Sequence, residues 1–168
     1  MTKSSGRTFG VIAGAVGLGI AMFGGFPGVA AAAAAPNPCK VLKKSEIQSA
    51  FGGTVGSGKK GLSTAVSTQC EYQVSADGDR PDGTVIVHVM FKNGKVAYNG
   101  LKKTSLYVPI DGVPNSLWAD KTHVVDILKG DTLVGVQGNF IITAPLPLHF
   151  YDAKTQLTGL AQTAATRV

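Results

Sequence analysis

Between Thr84 and Phe91 the chain alternates strictly. Val85, Val87, Val89 and Phe91 fall on one side, and Ile86, His88 and Met90 fall on the other. A period of two predicts a β-strand. Gln69 to Ser75 repeats the pattern with Cys70, Tyr72 and Val74, and the polar stretch Ala76 to Gly83 reads as the turn between these strands. Thr122 to Lys129 and Thr132 to Gln137 form a second hairpin around Lys129-Gly130-Asp131. Helical spacing appears at Ser45 to Gly52, where Ile47, Ala50 and Phe51 share a face, Ser45 with Gln48 makes a capping box, and Gly52 supplies the stop. Asp152 caps a last helix carrying Ala153, Leu157, Leu160, Ala161 and Ala164.

Two segments read less simply. Lys92 to Thr104 offers a tight turn at Asn93-Gly94 or a short helix through Val96, Ala97 and Leu101, and the helix is preferred. Gly53 to Ser67, rich in Gly, Lys and Ser, reads as a long exposed loop. The resulting class is α+β: an antiparallel sheet with helices packed on one face, in a single domain. Val85, Val87, Val89 and Phe91 should meet Leu157, Leu160 and Ala164. Ile86, His88 and Met90 are then a candidate binding surface bordered by Trp118, or a face covered by the loop Leu106 to Trp118.

The first residues change the picture. Lys3 and Arg7 precede a tract, Phe9 to Ala35, that contains no charge and ends in Gly, Pro and a run of alanines. This is the pattern of a secretory signal over residues 1–34, cut between Ala30 and Ala34, followed by one secreted domain over 35–168. The tract is also long enough to cross a bilayer, but Gly24, Gly25, Pro27 and Gly28 suit a cleavage zone better than a membrane helix. Membrane contact is thus expected during export, or if the signal stays as an anchor. Pro36-Asn37-Pro38 before Cys39 is not a lipid-attachment sequence, so Cys39 is free to pair. In an oxidising compartment Cys39 and Cys70 should form a disulfide. A secreted, envelope-associated location excludes a cytosolic enzyme using ATP or a nicotinamide cofactor.

The formal charge of +6 falls to +4 without Lys3 and Arg7, and the remaining bases are scattered, the densest being Lys43-Lys44, Lys59-Lys60 and Lys102-Lys103. No aromatics are interleaved with them, which excludes a nucleic-acid partner and leaves mild attraction to an anionic envelope. Gly53 to Lys59 has phosphate-loop spacing, but Lys60 stands where Ser or Thr must hold magnesium. Gly61-Leu62-Ser63-Thr64-Ala65 only loosely resembles a nucleophile elbow. Asp77, Asp79 and Asp82 before Gly83 fall short of a calcium loop, with His88 at the position of its bidentate Glu. His88, His123 and His149 lie on separate elements, and Trp118 reads as a core or rim residue. No catalytic residue, metal ligand or cofactor is assigned.

Pro38-Cys39-Lys40-Val41-Leu42, Glu46-Ile47, Phe51-Gly52, Cys70-Glu71-Tyr72, Ile110 to Trp118 and Leu128 to Thr132 together resemble a large actinobacterial family of exported proteins and lipoproteins of unknown function. The chain departs from it in lacking a lipid-bearing cysteine and in carrying Pro114-Asn115 where the family has Gly-Asp. The resemblance implies an α+β fold and an envelope location, but no activity. The expected function is a non-enzymatic binding or sensor-like module for an envelope ligand or protein. The alternative is a small secreted hydrolase using Ser63 or a histidine site.

Overall fold

The computed structural model describes residues 35–75, 82–141 and 152–168. The expected signal segment, Asp77 and Asp79 of the acidic turn, and His149 lie outside them. Three helices and eight strands follow in the order α1 (Lys44–Phe51), β1 (Thr54–Val55), β2 (Lys59–Ser63), β3 (Ser67–Ser75), β4 (Asp82–Met90), α2 (Gly94–Leu101), β5 (Val108–Pro109), β6 (Ser116–Ala119), β7 (Val124–Lys129), β8 (Thr132–Ile141) and α3 (Ala153–Thr166). The fold is α+β, and the strands make one antiparallel sheet.

Across the sheet the order is β1-β3-β4-β8-β7-β6-β5, with β2 also on β3. Two meanders therefore meet along β4 and β8, which pair over their full lengths from Asp82↔Ile141 to Met90↔Leu133. The β7–β8 turn is the expected one, with Gly130 at φ 61° between the paired residues Lys129 and Thr132. Gly53 to Ser67 is not a free loop. Its two pieces, β1 and β2, pair with β3 along the sheet edge. Edge pairing is decided by the partner strand, and the Lys- and Gly-rich composition that hid it is how exposed edges are commonly blunted.

Alternation assigns the two faces. Cys70, Tyr72, Val74, Val85, Val87, Val89, Val125, Ile127, Val134 and Val136 form one buried core with Ile47 and Phe51 of α1 and Leu157, Leu160, Ala161 and Ala164 of α3. This is the packing expected for Val85, Val87 and Val89, whereas Phe91, just past β4, is half-buried and outside the core. Leu157 is fully buried, and removing such a side chain from water is worth about 2–3 kcal/mol. Trp118 belongs to this same core, so it does not border Ile86 and Met90; its register with Val125 places it on the helix-covered side. The preferred helix at Lys92 to Thr104 is present as α2. It lies on the opposite face, where Tyr98 packs with Leu117 and Leu133, flanked by Met90, Leu101, Tyr107 and Leu128.

Helix α1 starts earlier than the Ser45 cap predicts. Lys43 is the N-cap residue, and its backbone N–H donates to Glu46 Oε2 at 2.7 Å. A carboxylate makes the stronger, charge-assisted bond to an orphan N–H, so Glu46 takes the role foreseen for Gln48. Gly52 ends the helix at φ 70°. Asp152 caps α3 as expected, accepting from the Thr155 N–H at 3.0 Å. The two helices are tied across the domain by Arg167, which donates to the Val41 carbonyl at 2.9 Å and to both oxygens of Glu46. That pairing holds the Glu46 carboxyl at about 2, below its usual 4.5.

The disulfide joins Cys39 to Cys70, with Cα atoms 5.1 Å apart. It fastens the segment before α1 to the middle of β3. Beside it the buried Tyr72 hydroxyl donates to the Leu42 carbonyl at 2.9 Å.

Candidate functional site

The register of the sheet sets Gln69, His88, Gly135, Asp126 and Leu117 in one row across β3, β4, β8, β7 and β6. All five positions point to the face that α1 and α3 leave open. His88 and Asp126 stand two strands apart, about 10 Å between backbones, a span that their side chains cross because Gly135 between them has none. The His88 Nε2 to Asp126 Oδ1 distance is 2.9 Å. A Cβ at Gly135 would overlap both the His88 ring and the Asp126 carboxylate. Gly135 is therefore the gap through which the pair forms.

Asp126 is 1% exposed and His88 is half-buried. A buried carboxylate must be hydrogen-bonded, and for Asp126 the His88 imidazole meets that need. An ionised carboxylate only accepts, so the imidazole proton sits on Nε2. Burial, followed by the charge and hydrogen bond of Asp126, raises the Tyr107 phenol above its ordinary range. The Asp126–His88 pair lies where the cover supplied by α2 gives way to the uncovered sheet.

Beyond it polar side chains surround Ile86, with Val124 in the same row and Ile141 at the far end of the face. Ile86, half-buried, sits in register with Glu71 and Gln137, and the next row holds Gln73, Thr84 and Asn139. Gln137 Nε2 donates to the Asn139 carbonyl oxygen at 3.0 Å and to the Thr122 backbone carbonyl at 3.3 Å. Gln73 Nε2 donates to Glu71 at 2.6 Å. This strip runs into a cleft of about 520 Å³ at the end of β3, β4 and β8, where Gln73, Thr84 and Asn139 face Lys121 and His123. His123 is held in the left-handed conformation at φ 47°, its ring centroid 6.1 Å from that of Trp118.

The chain matches no protein-family model, no curated protein and no solved structure. Function has to be argued from the site itself.

The residues singled out from sequence are not brought together. Ser63 ends β2 and pairs with Thr68, which pairs with Val89, so Ser63 lies two strands from His88 and on the other face of the sheet. His88 is in register with Gly135, whereas the His123 carbonyl accepts from the Gly138 N–H, three residues further along β8. Gly53 to Lys59 crosses from β1 to β2, with none of the strand-to-helix geometry of a phosphate loop. Asp82 opens β4. Among the described residues no three His, Cys, Asp or Glu side chains converge as a metal site, and no helix is long and apolar enough to cross a membrane. Met90 is partly covered by the cluster under α2, while Ile86 stays half-exposed, so the loop Leu106 to Trp118 does not bury this face. Sequence reasoning missed Asp126, Tyr107 and Gly135. The one signal available was a glycine inside the apolar run Leu133-Val134-Gly135-Val136.

Proposed function

We propose that this chain is an exported, non-enzymatic module that binds a polar envelope ligand on the open face of its sheet. The observation that carries the reading is the strip from His88 through Ile86 to Thr84 and Asn139, which opens into the cleft lined by Lys121 and His123. Amides, a hydroxyl and an imidazole lie there beside the aliphatic side chains of Ile86 and Ile141, an arrangement that orients a ligand by hydrogen bonds around an apolar contact. The Cys39–Cys70 disulfide is compatible with an extracellular location. The signal-like first residues and the resemblance to exported actinobacterial proteins support the same placement.

A hydrolase needs a nucleophile within hydrogen-bond reach of its base, and Ser63 is not within reach of His88. Chromogenic esters and a peptide panel should show no turnover above buffer. Turnover abolished by Ser63→Ala or His88→Ala would overturn the reading. Calorimetric titration with solubilised envelope saccharides and peptides should detect binding that Ile86→Asp weakens at least about tenfold, the effect of a desolvated charge at a contact. Binding unaffected by Ile86→Asp would move the site elsewhere.

A further inference from the structure

Helix α2 has two unlike sides. Tyr98 and Leu101 face the sheet with Ala97. At about 100° per residue, Lys95, Val96, Asn99 and Lys103 point the other way, the last because helical turns continue through the Lys103 and Thr104 N–H bonds to Gly100 and Leu101. Val96 is 71% exposed, and Leu106, in the turn that follows, is 59% exposed. From Lys92 to Leu106 the chain carries Lys92, Lys95, Lys102 and Lys103 and no acidic residue. The nearest carboxylate, Asp131, sits at the start of the helix, where it accepts from the Lys95 N–H at 3.2 Å. The positive end is thus Lys102-Lys103, next to Leu106.

We infer that the outer face of α2 and the turn after it form a docking surface for an anionic lipid bilayer. Lys95 and Lys103 on that face match the charge of such a surface, and each lysine near it strengthens binding about fivefold. Val96 and Leu106 distinguish the occupant. A soluble polyanion gives no return for exposing two aliphatic side chains beside lysines, whereas a bilayer interface takes them in at headgroup depth. Docking by this face leaves free the cleft at the other end of the strands. From Met90, beside α2, to Asp82, at the cleft, β4 runs about 27 Å.

The compact unit Ala34–Val168 contains the whole sheet and all three helices, so it is tested without the first residues. Co-sedimentation with phosphatidylcholine vesicles containing about 30% phosphatidylglycerol should show binding that is lost with pure phosphatidylcholine and on raising salt from about 25 to 500 mM. Lys95→Glu/Lys103→Glu should lower the partition coefficient at least about twentyfold. Val96→Ser/Leu106→Ser should lower it severalfold with unchanged net charge. The control Lys59→Glu/Lys60→Glu, with the same charge change on β2, should retain binding within a few-fold. Circular dichroism melts confirm that each variant folds. No binding to the anionic vesicles, equal loss in the β2 control, indifference to Val96→Ser/Leu106→Ser, or binding to a soluble anionic polysaccharide in preference to vesicles would each overturn the inference.

Discussion

Replacing Gly135 with alanine tests whether the open face is built around the His88–Asp126 pair. The added Cβ falls on the His88 ring and the Asp126 carboxylate together. Asp126 is 1% exposed and cannot withdraw, so the half-buried imidazole must swing outward and the 2.9 Å contact breaks. A hydrogen bond to a charged group contributes about 1.5–3 kcal/mol, and an under-solvated carboxylate oxygen adds to the loss. Together these put the total at about 2–4 kcal/mol. With a urea slope of about 1.5 kcal/mol/M, a loss of 3 kcal/mol lowers the unfolding midpoint by about 2 M. The part of that penalty due to the ring should vanish in a His88→Ala background, leaving the overlap with Asp126. The imidazole Nε2–H proton signal should also disappear in the single variant. A Gly135→Ala protein within about 0.5 kcal/mol of wild type, with that proton signal unchanged, would refute the reasoning.

Other expectations are as direct. Removing the disulfide by Cys39→Ala/Cys70→Ala should cost about 3–4 kcal/mol in denaturant unfolding, from the entropy of the loop it closes; a loss under about 1 kcal/mol would show the bond to be dispensable. Glu46 is more acidic in the folded chain, about 2 against 4.5, so the unfolded chain binds protons first as pH falls. The stability this carboxylate contributes is complete above pH 4.5 and is lost toward pH 2. Solvent screening limits it to about 1 kcal/mol, and Arg167→Gln should flatten that part of the stability profile. Gly159 lies within α3 with open space where its Cβ would be. Gly159→Ala should therefore stabilise by about 0.5–1 kcal/mol, and a destabilised variant would show that the open space is used.

What could be read from sequence was local. The faces of β4 followed from alternation at Val85, Val87 and Val89, and the start of α3 followed from Asp152. The disulfide followed from two cysteines behind a signal-like segment. Where two local patterns competed, the choice was harder: Lys43 with Glu46 and Ser45 with Gln48 both frame a helix start, and the charged acceptor prevails. The strands β1 and β2 were illegible because their own residues favour a loop and only pairing with β3 makes them strands. The site was less legible still. Asp126 and His88 are 38 residues apart, and their meeting needs the registers of β4 with β8 and of β8 with β7, neither written in any local spacing. Tyr107, whose phenol feels the Asp126 charge, comes from a segment whose neighbours Leu106 and Val108 are exposed.

The central claim is that the open face binds a ligand, and amide-shift mapping tests it most directly. Titration of the ¹⁵N-labelled domain with envelope saccharide and peptide fragments should move amides of residues 69–73, 84–88 and 135–139, together with Lys121 and His123 at the cleft. Shifts confined to α1 and α3, or none with any fragment, would contradict it.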